Sequence, residues 1–156
     1  MIGGRYGGTS ARPYVEARLS ILSQKLNTEI SFVLDTGADT TVLMPLDGAK
    51  MGLDYGRLVN TTRSVGIGGY SEDFLEDALV TFRGDDFVLY TYKIKLHISS
   101  PSPDIMAIPS LLGRDIINQW ALNYDPTAGI LSASVRSSDS KIDVSAGKGA
   151  GRGPRP

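Results

Sequence analysis

The sequence predicts an all-β domain. Short apolar runs alternate with polar residues, as at residues 14–21 and 94–98, which is the pattern of half-buried strands. Glycine and proline punctuate these runs at close intervals, at Gly68-Gly69, Gly84 and Pro101-Ser102-Pro103. Strands of this length and spacing fit a small closed or sandwich-like β domain. A third feature is local: the apolar run Phe32-Val33-Leu34 ends on Asp35-Thr36-Gly37, and this triplet occurs once.

The elements follow in order. Residues 1–11 are glycine-rich with little apolar content and are expected as a flexible lead-in. Residues 14–21 form a first strand and residues 29–34 a second, leading into the Asp35 turn. Residues 41–44, rich in strand formers, make a third. A helical turn near residues 47–51 is kept brief by Gly48, Gly52 and Gly56. Strands are expected at residues 63–67, 74–82 and 87–97. Residues 116–120 read as a short helix, and residues 120–123 and 129–131 as closing strands. Residues 136–156 are rich in Gly, Pro and Ser and are expected as a flexible tail. One domain over residues 12–135 is the resulting organisation.

Composition bounds the function. The chain has 156 residues, 41% apolar and 21% charged, with 16 Lys and Arg against 17 acids. That is an ordinary globular composition with room for one core. The near-neutral balance gives no support to nucleic-acid binding. There is no cysteine, so disulfide and thiol chemistry are excluded. No apolar run reaches the roughly 20 residues of a membrane-spanning helix, and the first residues have no secretory h-region. The expectation is a cytoplasmic protein without a membrane partner. His97 lies on an alternating strand without neighbouring ligand types, so no metal and no cofactor are expected.

Asp35 carries the chemistry. A carboxylate that ends a buried strand sits at a fixed rim. The Thr36 hydroxyl can lock such a turn, and Gly37 admits close approach. An ordinary acidic turn would show the same residues. Amide hydrolysis by an activated water, however, is served by two close carboxylates that share a proton. With one Asp-Thr-Gly per chain, a two-fold dimer would supply the pair.

Several segments, in order, resemble the retroviral-type (retropepsin-like) aspartic proteases. Arg12-Pro13-Tyr14-Val15 is similar to that family's first strand. Residues 32–43, FVLDTGADTTVL, are similar to its active-site loop. Val65-Gly66-Ile67-Gly68-Gly69-Tyr70 resembles its glycine-rich flap. Leu111-Leu112-Gly113-Arg114-Asp115 resembles the element before its short helix, and Leu122-Asn123-Tyr124 its last strand. The segments at residues 23–28, 46–62 and 99–106 are longer than in the compact viral members.

The resemblance implies a small closed, barrel-like acid-protease fold with one short helix, assembled as a two-fold homodimer. It implies an aspartic endopeptidase acting on polypeptide. Asp35 would be catalytic together with Thr36 and Gly37. Ala38, Asp39, Gly66, Ile67, Gly68, Gly69 and Ile108 would bind substrate. Leu112 and Gly113 would support the site, and Arg114 would pair with Asp39, joined by Arg12 of the partner subunit. Leu34 and Leu111 would pack beneath it, and Trp120 in the core or interface. The competing expectations are a catalytically weak peptide-binding module of the same fold and an unrelated structural β domain.

Overall fold

The structure, a computed structural model, describes residues 1–148. In chain order it contains β1 (Ile2–Gly3), β2 (Arg5–Gly7), β3 (Arg12–Ile21), β4 (Leu26–Leu34) and β5 (Val42–Leu43). Helix α1 (Pro45–Met51) follows, then β6 (Thr61–Gly66), β7 (Gly69–Arg83), β8 (Val88–Ser99) and β9 (Leu111–Leu112). Helix α2 (Arg114–Ile117) leads to β10 (Trp120–Asp125), β11 (Ile130–Val135) and β12 (Ser140–Asp143).

These strands form two sheets. A three-stranded sheet has the order β1-β11-β10. A nine-stranded sheet runs β12-β8-β5-β9-β4-β3-β7-β6, with β2 on β3 and a further β7–β8 pairing. The expectation of an all-β, closed barrel with one short helix is thereby corrected to a mostly-β fold. The described strands are not one closed barrel, because β11 pairs with the N-terminal β1 and with β10 in a separate sheet instead of entering the main one. Among the described residues there are two short α-helices. The additional one, α1, has Pro45 at its start, Asp47 in the first turn and Lys50 in the last. Those residues suit a helix start and the helix dipole, and they outweigh the unfavourable Gly48.

The ends also differ from expectation. Residues 1–11 carry two strands, and Ile2, 2% exposed, joins the core. Its burial gives this glycine-rich stretch an anchor. Of the expected tail, residues 140–143 pair with β8, and the Lys93 N–H donates to Asp139 Oδ2 at 2.7 Å. Residues 149–156 of that tail lie outside the described residues.

Strand alternation builds the core. In β3, Val15, Ala17, Leu19 and Ile21 point inward, and in β4 Ile30, Phe32 and Leu34 do so. Fully burying one such large side chain contributes about 1.5–3 kcal/mol. Phe82, Tyr92 and Trp120 meet edge to face, with Phe82–Trp120 centroids 4.9 Å apart. The Trp120 Nε1–H donates to the Tyr92 hydroxyl at 2.8 Å, and that hydroxyl donates to the Ser137 carbonyl at 2.9 Å. Burial pushes the Tyr92 phenol above its ordinary pKa, although the bond from Trp120 opposes this.

Candidate active site

β4 carries the chain out of the core to Asp35. Its last residues pair in parallel with β9, Val33 with Leu111 and Leu34 with Leu112. The ladder continues past Leu34: the Asp35 N–H donates to the Leu112 carbonyl at 3.0 Å. Leu34 and Leu112 are buried beneath, at 6% and 0% exposure. The backbone of Asp35 is therefore fixed to the core, while its side chain stands half-exposed at the rim.

The following turn holds the carboxylate. The Gly37 N–H donates to Asp35 Oδ1 at 2.8 Å, and the Ala38 N–H donates to the Asp35 carbonyl at 3.2 Å. Thr36 and Gly37 are exposed. Arg114 clamps the loop from α2: its Nη1–H donates to the Thr36 carbonyl at 2.8 Å, and its Nη2 forms an ion pair with Asp39. The backbones interlock as well, because the Arg114 and Asp115 N–H groups donate to the Ala38 and Asp39 carbonyls at 2.9 and 3.2 Å.

Gly113 makes this interlocking possible. A Cβ at Gly113 would lie 2.3 Å from the carbonyl carbon of Thr40, closer than any real side chain sits. Thr41, fully buried, donates its hydroxyl to Asp115 Oδ1 at 2.8 Å and accepts from the Gly113 N–H at 3.1 Å. Asp115 Oδ2 accepts from the Thr41 N–H at 3.0 Å. A second arrangement of this kind lies alongside. Ser110, also fully buried, donates its hydroxyl to Asp47 Oδ2 at 2.7 Å and accepts from the Met44 N–H at 3.0 Å. Each short helix thus lends a first-turn carboxylate to a buried hydroxyl flanking the β4–β9 pair.

The sequence reading did not single out Thr41, Ser110, Asp47 or Asp115 as supports. The available signal was an acid in the first turn of each short helix, at Asp47 and Asp115.

β6 and β7 form a long hairpin whose pairing ends at Gly66 and Gly69. Gly69 has φ of +112°, a conformation that side chains resist. Ile67, at the turn, is fully exposed, and Val65 and Tyr70 are largely so. Between the outer half of this hairpin and the Asp35 loop lies a cleft of about 520 Å³. Gly37, Ala38, Asp39 and Thr40 line one side, Val42, Met44 and Leu111 the floor, and Ser64, Val65 and Gly66 the hairpin side.

The expected site residues therefore fall into groups. Gly37, Ala38, Asp39 and Gly66 line the cleft next to the Asp35 turn. Ile67, Gly68 and Gly69 form the exposed hairpin tip beyond it. Ile108, 40% exposed, sits in the loop before β9 and is not among the residues lining this cleft. Arg12 opens β3 and borders a different groove, with Arg5, Tyr14 and Asp47. Among the described residues, no group of three or more His, Cys, Asp or Glu side chains is placed to hold a metal. No helix among them is long and apolar enough to cross a membrane.

The strand-to-Asp-Thr-Gly turn, the Gly113-Arg114 element locked against it and the hairpin over the cleft agree with a match along the chain. Residues 9–124 match the family described as retroviral aspartyl protease, and the chain belongs to that family. It is similar to a solved retropepsin-like aspartic protease from Rickettsia conorii, with 23% identity and a TM-score of 0.48 over 82% of this chain and 94% of that one. It is also similar to EIAV protease complexed with the inhibitor HBY-793, with 26% identity and a TM-score of 0.48 over 72% of this chain and 90% of that one. No curated protein matches it.

Proposed function

We propose that this chain is an aspartic endopeptidase that acts as a homodimer, with one Asp35 contributed by each subunit. The observation that carries this reading is the Asp35 carboxylate itself. It is tied by its backbone to the core, held by the Gly37 N–H, and presented on an exposed turn. Family membership supports the same chemistry.

In this reading two such turns meet at a two-fold axis. Like charge at short range keeps one proton shared between the two carboxyls. The ionised carboxylate takes a proton from a water, which attacks the scissile carbonyl, and the protonated partner donates to the departing amine. Arg114 and the Gly113 contact act by holding the turn, not by touching the reacting atoms. The hairpin tip, with Ile67 fully exposed, serves as a flap that covers a bound peptide and excludes water. The three-stranded sheet ends in β10, whose second edge has no strand partner among the described residues. An open edge of this kind is suited to pairing with a second copy.

The test is cleavage of a mixed peptide pool over a pH series from about 4 to 7, on the acidic side of neutral where paired carboxyls can share a proton. Wild type and Asp35→Asn are compared, and both are sized at the assay concentration. Cutting by wild type alone, with both proteins dimeric, is the expected result. Equal cutting by both would remove Asp35 from the mechanism.

A further inference from the structure

The cleft has one wall that the hydrolytic chemistry leaves unused. Asp73, on β7, is only 6% exposed, yet it lines that cleft. Ser64, on β6, donates to its Oδ2 at 2.5 Å, and Ser99, on β8, donates to its Oδ1 at 3.5 Å. His97 Nδ1 lies 3.6 Å from Asp73 Oδ2 and 3.4 Å from the Ser64 hydroxyl. In the ladder Asp73 faces Ser99 and Ser64 faces Ser71. Because side chains alternate along strands, these residues share one face of three adjacent strands. All five line the cleft, opposite the Asp35 loop and above the apolar floor of Val42, Met44 and Leu111.

A nearly buried carboxylate is costly where an aliphatic side chain would fill the same strand position. We infer that Ser64, Ser71, Asp73, His97 and Ser99 form a specificity pocket for an uncharged, hydrogen-bonding side chain of the amide class on the polypeptide substrate. The assignment of this occupant as substrate rests on the endopeptidase reading above. The occupant's chemistry follows from the pocket. An anionic side chain meets Asp73 and Asp39, both lining the cleft. A cationic one is drawn to Asp73, but it meets Arg63 in the same lining and must displace the Ser64 and Ser99 hydroxyls that already occupy that carboxylate. An aliphatic one takes the remaining water from Asp73, His97 and the serine hydroxyls without adding a hydrogen bond to the ones they already share, and burying polar groups without that compensation is costly. Asparagine and glutamine carry both a donor and an acceptor. They satisfy the carboxylate, the rotatable hydroxyls and the imidazole together, while their methylenes lie on the apolar floor.

The test uses eight-residue peptides in which each position in turn is Asn, Gln, Leu, Met, Lys or Glu. Binding to full-length Asp35→Asn is measured by calorimetry, and cleavage by wild type as kcat/KM. At one position the amide peptides bind and are cut at least about tenfold better than the aliphatic or charged ones. His97→Leu and Ser99→Val, each made in both backgrounds, abolish that advantage. An unchanged ranking in these variants, with only a lower unfolding temperature, marks a purely structural cluster and overturns the pocket. Aliphatic preference at every position, or no binding by any peptide, overturns it as well. Amide-selective binding without cleavage by wild type upholds the pocket and removes the endopeptidase reading instead.

Discussion

The buried hydroxyl of Thr41 donates to Asp115 at 2.8 Å while accepting from the Gly113 N–H at 3.1 Å. One side chain thus joins the strand after the Asp35 turn to the start of α2. Thr41→Val keeps the shape and removes both bonds. Leaving buried polar groups unmatched costs about 1–3 kcal/mol. Denaturant unfolding should show a loss of that size, and Thr41→Ser should recover most of it.

Gly113 is replaceable only by moving backbone. In Gly113→Ala the new methyl would meet the Thr40 carbonyl carbon and oxygen at 2.3 and 2.4 Å. Overpacking of this kind costs about 1–3 kcal/mol. Because the displaced backbone leads to the Asp35 turn, activity should fall further than stability alone accounts for, measured as kcat/KM at a temperature where the variant remains folded.

Arg114 separates stability from positioning. Its ion pair with Asp39 is exposed, the Asp39 side chain at 83%, so Asp39→Ala should change unfolding free energy by less than about 1 kcal/mol. Arg114 also holds the Thr36 carbonyl. A lysine has no planar fork with which to serve both partners. Arg114→Lys should therefore lower kcat/KM at least about tenfold while stability moves by no more than about 1 kcal/mol.

Tyr92 tests the aromatic core. Tyr92→Phe leaves the Trp120 indole N–H without its acceptor and the Ser137 carbonyl without its donor. A loss of about 1–3 kcal/mol in thermal or denaturant unfolding is expected, with the peptide-cleavage pH profile unchanged.

Much of this architecture is legible in the sequence. The alternation in residues 14–21 placed β3, the apolar run entering the Asp-Thr-Gly turn placed the end of β4, and the position of Asp35 at the end of a buried strand followed directly. Other features depend on pairing between distant residues, which local pattern does not report. Ile2 reads as an isolated aliphatic in a glycine-rich stretch until β11 is beside it. Residues 140–143 lack a strong apolar period, and it is the edge of β8 that orders them. The helical turn expected at residues 47–51 is helix α1, which begins two residues earlier, at Pro45. In the site, the Asp35 turn was legible because its chemistry lies in consecutive residues. The carboxylates that brace it, Asp47 and Asp115, act on hydroxyls 63 and 74 positions away. His97 looked isolated along the chain because Asp73 and Ser64, its neighbours in the cleft, are on other strands.

The central claim is that two subunits each supply one essential carboxylate. It is tested most directly by mixing wild type with Asp35→Asn at equal amounts and constant total concentration, after exchange of subunits. If both carboxylates are needed, only wild-type pairs cut, and activity falls to about a quarter of the pure wild type under random pairing. Retention of about half would mean that each Asp35 acts within its own chain, and would contradict the account.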